Sequence, residues 1–240
     1  MKIVSLVVAI CVIAACGTAF ADNSYPYKWS QMPEMVNPWG FDVESNLSNT
    51  IDVVAADDWV CVDGAPITDV HWWGSYLGND PVEGFRISIH ADIPAGIEPS
   101  HPGVLLESYM FDLSDTHQVF YGQDAYGQDV YQYFVWLPQP FYQVQGTVYW
   151  LDIEALNPDA TDPFWGWHTA ILPHNIDDAV QLFGYDALYG SYTLFTPLEM
   201  PPYGSLDLAF ELTIPEPTTM ILMLGALLPA AAAIRRRISR

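Results

Sequence analysis

Hydrophobic and polar residues alternate with a period of two in the central part of this 240-residue chain. The alternation is regular in three segments, residues 85–92, 147–154 and 206–213. In the first segment, one face of an extended chain carries Phe85, Ile87, Ile89 and Ala91. No segment between residues 22 and 213 keeps a helical period, so the pattern predicts strands throughout.

Further apolar runs repeat along the same region, at residues 51–54, 59–62, 68–76, 104–111, 117–121, 130–137, 164–169, 179–183 and 191–195. Clusters of Gly, Pro, Asn and Asp separate the runs and are typical of tight turns. The spacing predicts an all-β fold, a single jelly-roll-like β-sandwich over residues 50–214. The polar, proline-bearing residues 22–49 are interpreted as an N-terminal arm, with room for one edge strand.

Charge is distributed unevenly, because most of the 7 cationic residues lie near the two ends while the 29 acids do not. Between residues 22 and 217 the cations are Lys28 and Arg86, which leaves a formal charge of about −27. Such a surface repels nucleic acid and anionic membranes, and it favours solubility of the domain. Cys61 is the one cysteine in this range and lies in an apolar run, which predicts a buried, unreactive thiol and no intramolecular disulfide.

The first 21 residues have the organisation of a secretory signal peptide. Lys2 gives a positive start, residues 3–15 are apolar, and Ala19-Phe20-Ala21 supplies the small-x-small pattern that predicts cleavage before Asp22. A second interpretation stays open, because the residues before Cys16 resemble a lipobox, which would place a lipid on that cysteine. Both interpretations predict export.

Residues 215–240 combine three features. The triplet Pro215-Glu216-Pro217 comes first, residues 220–234 are apolar, and Arg235, Arg236 and Arg237 follow. The two prolines keep the triplet extended and accessible to an enzyme. The apolar run is shorter than the ~20 residues of an ordinary span, so it predicts a marginal membrane helix, and the arginines place its end in the cytoplasm.

On these residues the tail resembles the PEP-CTERM sorting signal of exported bacterial proteins. The resemblance implies that an exosortase-type transpeptidase recognises the tail and cleaves near the PEP triplet. It implies a transient membrane anchor, a final location at the cell surface or in the extracellular matrix, and an association with exopolysaccharide. Pro229 departs from a regular apolar helix, and a plain C-terminal anchor remains the alternative. The resemblance covers the tail alone.

Tryptophan is abundant, with nine residues in the chain. Trp72 and Trp73 are neighbours in a predicted strand, so they point to opposite faces, whereas Trp165 and Trp167 share a face. An exposed indole packs against the C–H face of a sugar ring while nearby acids and amides bind its hydroxyl groups. These four tryptophans are therefore candidate glycan contacts; their alternative role is to fill a core without disulfides.

Acids and histidines suggest three further chemistries, none with a specific motif. Acid clusters in predicted loops suit Ca²⁺, at residues 57–58, 63, 79–80, 157–162 and 177–178. The pairs Asp69/His71 and His90/Asp92 would make a zinc site if their strands were neighbours. Asp152 and Glu154 share a strand face at ~7 Å, a spacing that a glycosidase can use. No catalytic, metal or cofactor residue is assigned, and Ca²⁺ stays a candidate cofactor.

The sequence thus favours an exported, non-catalytic β-sandwich protein of the cell surface or extracellular matrix, with polysaccharide as its candidate ligand. The alternative is a secreted polysaccharide-active hydrolase that uses paired carboxylates. A purely structural coat protein is a third hypothesis, which would be favoured if the domain had no concave site.

Overall fold

The structure is a computed structural model that describes residues 27–173, 175–186 and 191–214. This part of the chain is built from strands and one 3-10 turn, Leu113–Asp115. In chain order the strands are β1 (Tyr27–Gln31), β2 (Asp42–Glu44), β3 (Asn46–Leu47), β4 (Asp52–Val60), β5 (Ile67–Tyr76), β6 (Gly84–Ile93), β7 (His101–Asp112), β8 (His117–Gln123), β9 (Asp129–Phe141), β10 (Val148–Leu156), β11 (Trp165–His168), β12 (Val180–Asp186), β13 (Ser191–Pro197), β14 (Glu199–Met200), β15 (Gly204–Ser205) and β16 (Phe210–Thr213).

The predicted signal peptide and the predicted sorting tail lie outside the described residues. Within the described residues, no helix has the length and apolar character needed to cross a bilayer.

The first large sheet is antiparallel and is organised around β5. On one side β5 pairs with β9, which pairs with β8. The opposite edge of β5 pairs with two short strands, β16 and β11, that lie one after the other along it. β16 pairs in turn with β1, and β11 pairs with β2. The second large sheet has the order β13-β12-β4-β3-β10-β6-β7, with β4 and β10 also paired directly. Neighbours in both sheets are often distant in sequence, so no short segment specifies the pairing.

The two large sheets pack face to face, which confirms the predicted all-β sandwich. Their shared core contains the inward positions of the alternating segments, including Phe85, Ile87 and Ile89, all with 1% exposure or less. Large aromatic rings fill its centre: Trp72 stacks on Tyr133 with ring centroids 5.5 Å apart. Cys61 is buried beside them as a free thiol, as its apolar neighbours predict.

The second sheet curls so strongly that its two edges meet. Phe195 on β13 stacks on His101 of β7 with ring centroids 4.0 Å apart, although these strands end opposite edges of the sheet. The curl encloses a small second core on the outer face, formed by Val54, Ala56, Trp150, Val180 and Leu182. It also buries polar side chains that the alternation alone would assign to solvent.

Two details of the sequence prediction were wrong in their boundaries. Residues 51–54 and 59–62 were predicted as separate strands because acids lie between them, yet β4 runs continuously through Asp57 and Asp58. Asp57 is fully buried and accepts hydrogen bonds from the amide of Gln31 and the backbone N–H of Leu208, at 3.0 and 2.7 Å. These donors make a buried acid tolerable inside a strand. The predicted arm also contributes three strands, β1 to β3, rather than one.

Candidate functional site

The four tryptophans predicted as glycan contacts are all fully buried. Trp72, Trp165 and Trp167 belong to the core between the sheets. Trp73 points to the other face of β5, as the alternation predicts, but the β8–β9 hairpin covers it, and the Tyr121 ring meets its edge at 5.7 Å. Since a buried indole cannot reach a polysaccharide, the prediction was wrong for all four residues.

The predicted carboxylate pair is also inaccessible. Asp152 and Glu154 do share one face of β10, but this face is closed off by the curl of the second sheet, and both residues have 1% exposure or less. Asp152 lies 2.6 Å from the Nε2 atom of His90, and Glu154 forms an ion pair with Arg86. Each acid is therefore engaged by a neighbouring basic side chain and has no access to a substrate.

The proposed zinc arrangement fails for a topological reason. The pair Asp69/His71 lies on β5 in the first sheet, and the pair His90/Asp92 lies on β6 in the second. The two pairs consequently never meet. As for the predicted calcium clusters, none of their acids belongs, among the described residues, to a group of three His, Cys, Asp or Glu side chains within reach of one ion.

A groove does form on the outer face of the first sheet, where strand register aligns one residue from each of five neighbouring strands. Ser30 is opposite Glu211, Glu211 opposite His71, His71 opposite Phe134, and Phe134 opposite His117. The next row places Asp69 opposite Trp136. The groove has a volume of about 440 Å³ and is lined by Tyr27, Asp69, His71, Gln132, Phe134, Trp136 and Glu211.

One wall of the groove is aromatic. The Phe134 ring is stacked between two imidazoles, at 5.1 Å from His71 and 4.3 Å from His117. Trp136 stands edge-on to this stack, 5.0 Å from His117 and 5.1 Å from Phe134. All nine tryptophans lie in the described residues, and Trp136, at 60%, is the exposed one. A flat apolar surface is thus open to solvent beside the polar floor.

The floor of the groove is acidic. Asp69 and Glu211 are 7% and 5% exposed. Burial alone would raise the pKa of Asp69, but hydrogen bonds from His71, Thr213 and Thr68 outweigh it and hold this pKa below its ordinary value. Burial raises the pKa of Glu211, only partly offset by the hydrogen bond from Ser30 and the charge of His71. The two carboxyl groups therefore differ in their tendency to hold a proton.

This combination of groups suits a neutral sugar better than an anionic ligand. The exposed indole of Trp136 offers apolar surface to the C–H face of a pyranose, while Gln132 and Glu211 offer hydrogen-bonding groups for its hydroxyls. The volume lies within the range of small-ligand sites. The high density of acids disfavours anionic ligands such as phosphates.

The sequence contained a signal for this site that its interpretation missed. In β9 the residues Tyr131, Tyr133 and Val135 face the core, so Gln132, Phe134 and Trp136 face outward. Aromatic residues occupy both faces of this strand, and alternation alone therefore does not identify which ring is exposed. In residues 206–213 the alternation places Glu211 on the polar face of the strand, away from the inward apolar residues. It does not reveal that the neighbouring strand puts His71 beside Glu211.

Residues 27–213 match the model of a family described as Domain of unknown function (DUF7901). No curated protein and no solved structure gives a significant match.

Proposed function

The chain belongs to the DUF7901 family, and we propose that it is an exported, non-catalytic protein of the cell surface or extracellular matrix that binds polysaccharide. The groove on the first sheet is the proposed binding site. The observation that carries this proposal is Trp136: it is the exposed tryptophan of the nine, and it lies opposite Asp69 of the acidic floor on the neighbouring strand.

The export part of the proposal rests on the two ends of the sequence. The signal-peptide pattern before Asp22 and the resemblance of residues 215–240 to a PEP-CTERM tail support transport and processing by an exosortase-type transpeptidase. Mass spectrometry of protein collected outside the cells is expected to give a chain that begins at Asp22 and ends near Pro217. An intact chain, recovered inside the cells, would contradict export.

The state of Asp69 in the groove supports binding rather than hydrolysis. Both carboxylate oxygens of Asp69 are already engaged, one by the Thr68 and Thr213 hydroxyls and the other by the imidazole of His71. A hydrogen-bonded carboxylate of this kind is a stabilised, weakly nucleophilic group. We therefore assign Asp69 the role of fixing His71 and the shape of the groove.

A second candidate function, glycoside hydrolysis, is favoured by one observation. Asp69 and Glu211 have pKa values pushed in opposite directions, which is the pattern of a glycosidase base or nucleophile paired with its acid. In this alternative Glu211 would donate a proton to the leaving group.

One experiment separates the two functions. The purified protein is screened on a glycan array, and each bound polysaccharide is then incubated with the protein and assayed for new reducing ends. Our proposal predicts retention of at least one neutral or cationic glycan without release of sugar. If the wild type releases sugar and the Glu211→Gln variant does not, glycoside hydrolysis replaces binding as the proposed function. If the protein retains no glycan, both candidate functions are wrong.

A further inference from the structure

A cluster of three metal-ligating side chains lies at the other end of the outer face of the first sheet, away from the groove residues. His168 ends β11 and is paired in register with Asp42, the first residue of β2. Asp124 comes from the turn between β8 and β9. One ligating atom from each of the three side chains lies within 4.8 Å of the other two. Three separate segments of the chain therefore converge on one point.

The imidazole of His168 is held in the orientation that metal-binding histidines use. Its Nε2 lies 2.8 Å from the backbone carbonyl oxygen of Glu34, so Nε2 carries a proton and donates it. The other ring nitrogen, Nδ1, is thereby directed at Asp42, 3.0 Å away. A backbone carbonyl that fixes one nitrogen and leaves the other for the ion is the usual outer-shell arrangement at metal sites.

The two carboxylates have unused acceptor capacity in a buried setting. Asp124 is 8% exposed, and its described hydrogen bonds, from the backbone N–H groups of Tyr126 and Gln128, both end on Oδ1. The Asp42 side chain is 4% exposed, and its one described hydrogen bond ends on Oδ1 at His168. Among the described residues, no group donates to the Oδ2 atom of either acid. Two buried carboxylates facing one imidazole leave negative charge uncompensated.

We propose that Asp42, Asp124 and His168 bind a divalent transition-metal ion, with Zn²⁺ as the best match. Two carboxylates and a neutral imidazole would balance the charge of a divalent ion, and the imidazole favours Zn²⁺ over Ca²⁺ or Mg²⁺, which prefer oxygen ligands only. Three protein ligands leave a fourth tetrahedral position for water or another oxygen.

The ion would have a structural task. The turn that carries Asp124 belongs to the β8–β9 hairpin, which covers Trp73 on the outer face of β5. A second link, from the Tyr126 hydroxyl to the carbonyl oxygen of Pro38 at 2.6 Å, already ties this turn to the loop before β2. A metal ion at Asp124 would add a strong connection from the hairpin to β2 and β11. The proposal is independent of glycan binding.

The test is the melting temperature of the purified, metal-free protein with and without ZnCl₂. At a Zn²⁺ concentration ~100-fold above its Kd, we expect the melting temperature to rise by about 5 °C or more. Calorimetric titration is expected to give one Zn²⁺ per chain. Absence of any shift with Zn²⁺, Co²⁺ or Mn²⁺ would overturn the proposal.

Asp124→Asn is the informative variant. Its amide oxygen still accepts hydrogen bonds from Tyr126 and Gln128, so the turn is retained, but the anionic second oxygen is lost. The Zn²⁺-dependent shift should disappear while the circular dichroism spectrum stays that of the wild type. Asp129→Asn, an exposed acid at the start of β9, is the matched control and should keep the full shift. An equal shift in both variants would place Zn²⁺ elsewhere on the protein and overturn the assignment; Asp42→Asn provides a second, independent ligand variant.

Discussion

At the scale of single residues, buried ionisable groups make the stability of this protein depend on pH. Burial alone would lower the pKa of His90, but the charge and hydrogen bond of Asp152 and the carbonyl oxygen of Gly103 outweigh it, so the pKa is raised. Burial, together with the negative charges of Asp177 and Asp207, raises the pKa of Asp58 to about 8. Both groups bind protons more tightly in the folded protein than in the unfolded chain.

The direction of the pH dependence follows from these two shifts. An unfolded histidine loses its proton near pH 6.5, whereas His90 keeps it to higher pH, so its stabilising contribution is complete below pH 6.5 and is lost as the pH rises through the folded pKa. An unfolded aspartic acid ionises near pH 4, whereas Asp58 stays protonated to about pH 8. Between about pH 4 and pH 8, these two groups hold more protons in the folded state than in the unfolded chain. Their contribution to the free energy of unfolding therefore falls as the pH rises.

Asp58→Asn tests this account directly. Asparagine has the same shape and cannot ionise, so the variant is expected to be more stable than the wild type at pH 8 by about 2 kcal/mol or more, and of similar stability at pH 4. Urea denaturation at pH 4.5, 6.5 and 8 gives the required free energies of unfolding. A variant with the same pH dependence as the wild type would show that Asp58 is ionised in the fold.

At the scale of strands, close contact between β5 and β11 depends on Gly74. A Cβ atom at this position would collide with the backbone oxygen of Gly166 and with the indole ring of Trp165. Neither obstacle yields easily, because one is backbone and the other is a ring packed in the core. Glycine is therefore required by the approach of the two strands rather than by its backbone angles.

Gly74→Ala is expected to lower the free energy of unfolding by about 2 kcal/mol, within the range for overpacked cores. The matched control is Gly96→Ala, in an exposed turn where an added Cβ meets nothing within 4 Å. Thermal or urea denaturation of the two variants, beside the wild type, measures the difference. Equal effects at both glycines would mean that the β5–β11 contact is looser than described.

The strands themselves were largely predictable from the sequence, because alternation and turn residues act locally. The predicted segments at residues 85–92, 117–121 and 130–137 all fall within observed strands, β6, β8 and β9. The errors arose where tertiary structure overrides the local pattern. The sequence predicted a loop at Asp57 and Asp58, because two adjacent acids are rare inside a buried strand. The groups that donate hydrogen bonds to Asp57, among them the backbone N–H of Leu208, come from distant segments.

At the scale of the whole molecule, the sandwich was predicted but the proposed binding groove was not. The groove depends on five strands in a specific register, with Ser30, Glu211, His71, Phe134 and His117 in one row. These residues are spread over 182 positions of sequence, from Ser30 to Glu211. Composition made the tryptophans candidate ligand contacts, with core filling as the alternative, but the β8–β9 hairpin and the opposing sheet determine which of them are buried.

The outer face of the first sheet is consequently divided into two parts. The β8–β9 hairpin covers one end, where Trp73 is buried and where Asp42, Asp124 and His168 meet. The other end is open and exposes Trp136 beside Asp69 on the neighbouring strand. We infer that the covered end stabilises the sheet while the open end is free to bind a ligand.

The affinity of the Trp136→Ala variant for the best glycan identified on the array tests the central claim most directly. Trp136 is exposed, so the variant should keep the melting temperature of the wild type, and isothermal titration calorimetry should show a Kd raised by about 10-fold or more, which corresponds to ~1.4 kcal/mol. Tyr142→Ala, an exposed aromatic residue outside the groove lining, should leave the Kd unchanged. Wild-type affinity in the Trp136→Ala variant would contradict a binding site in this groove.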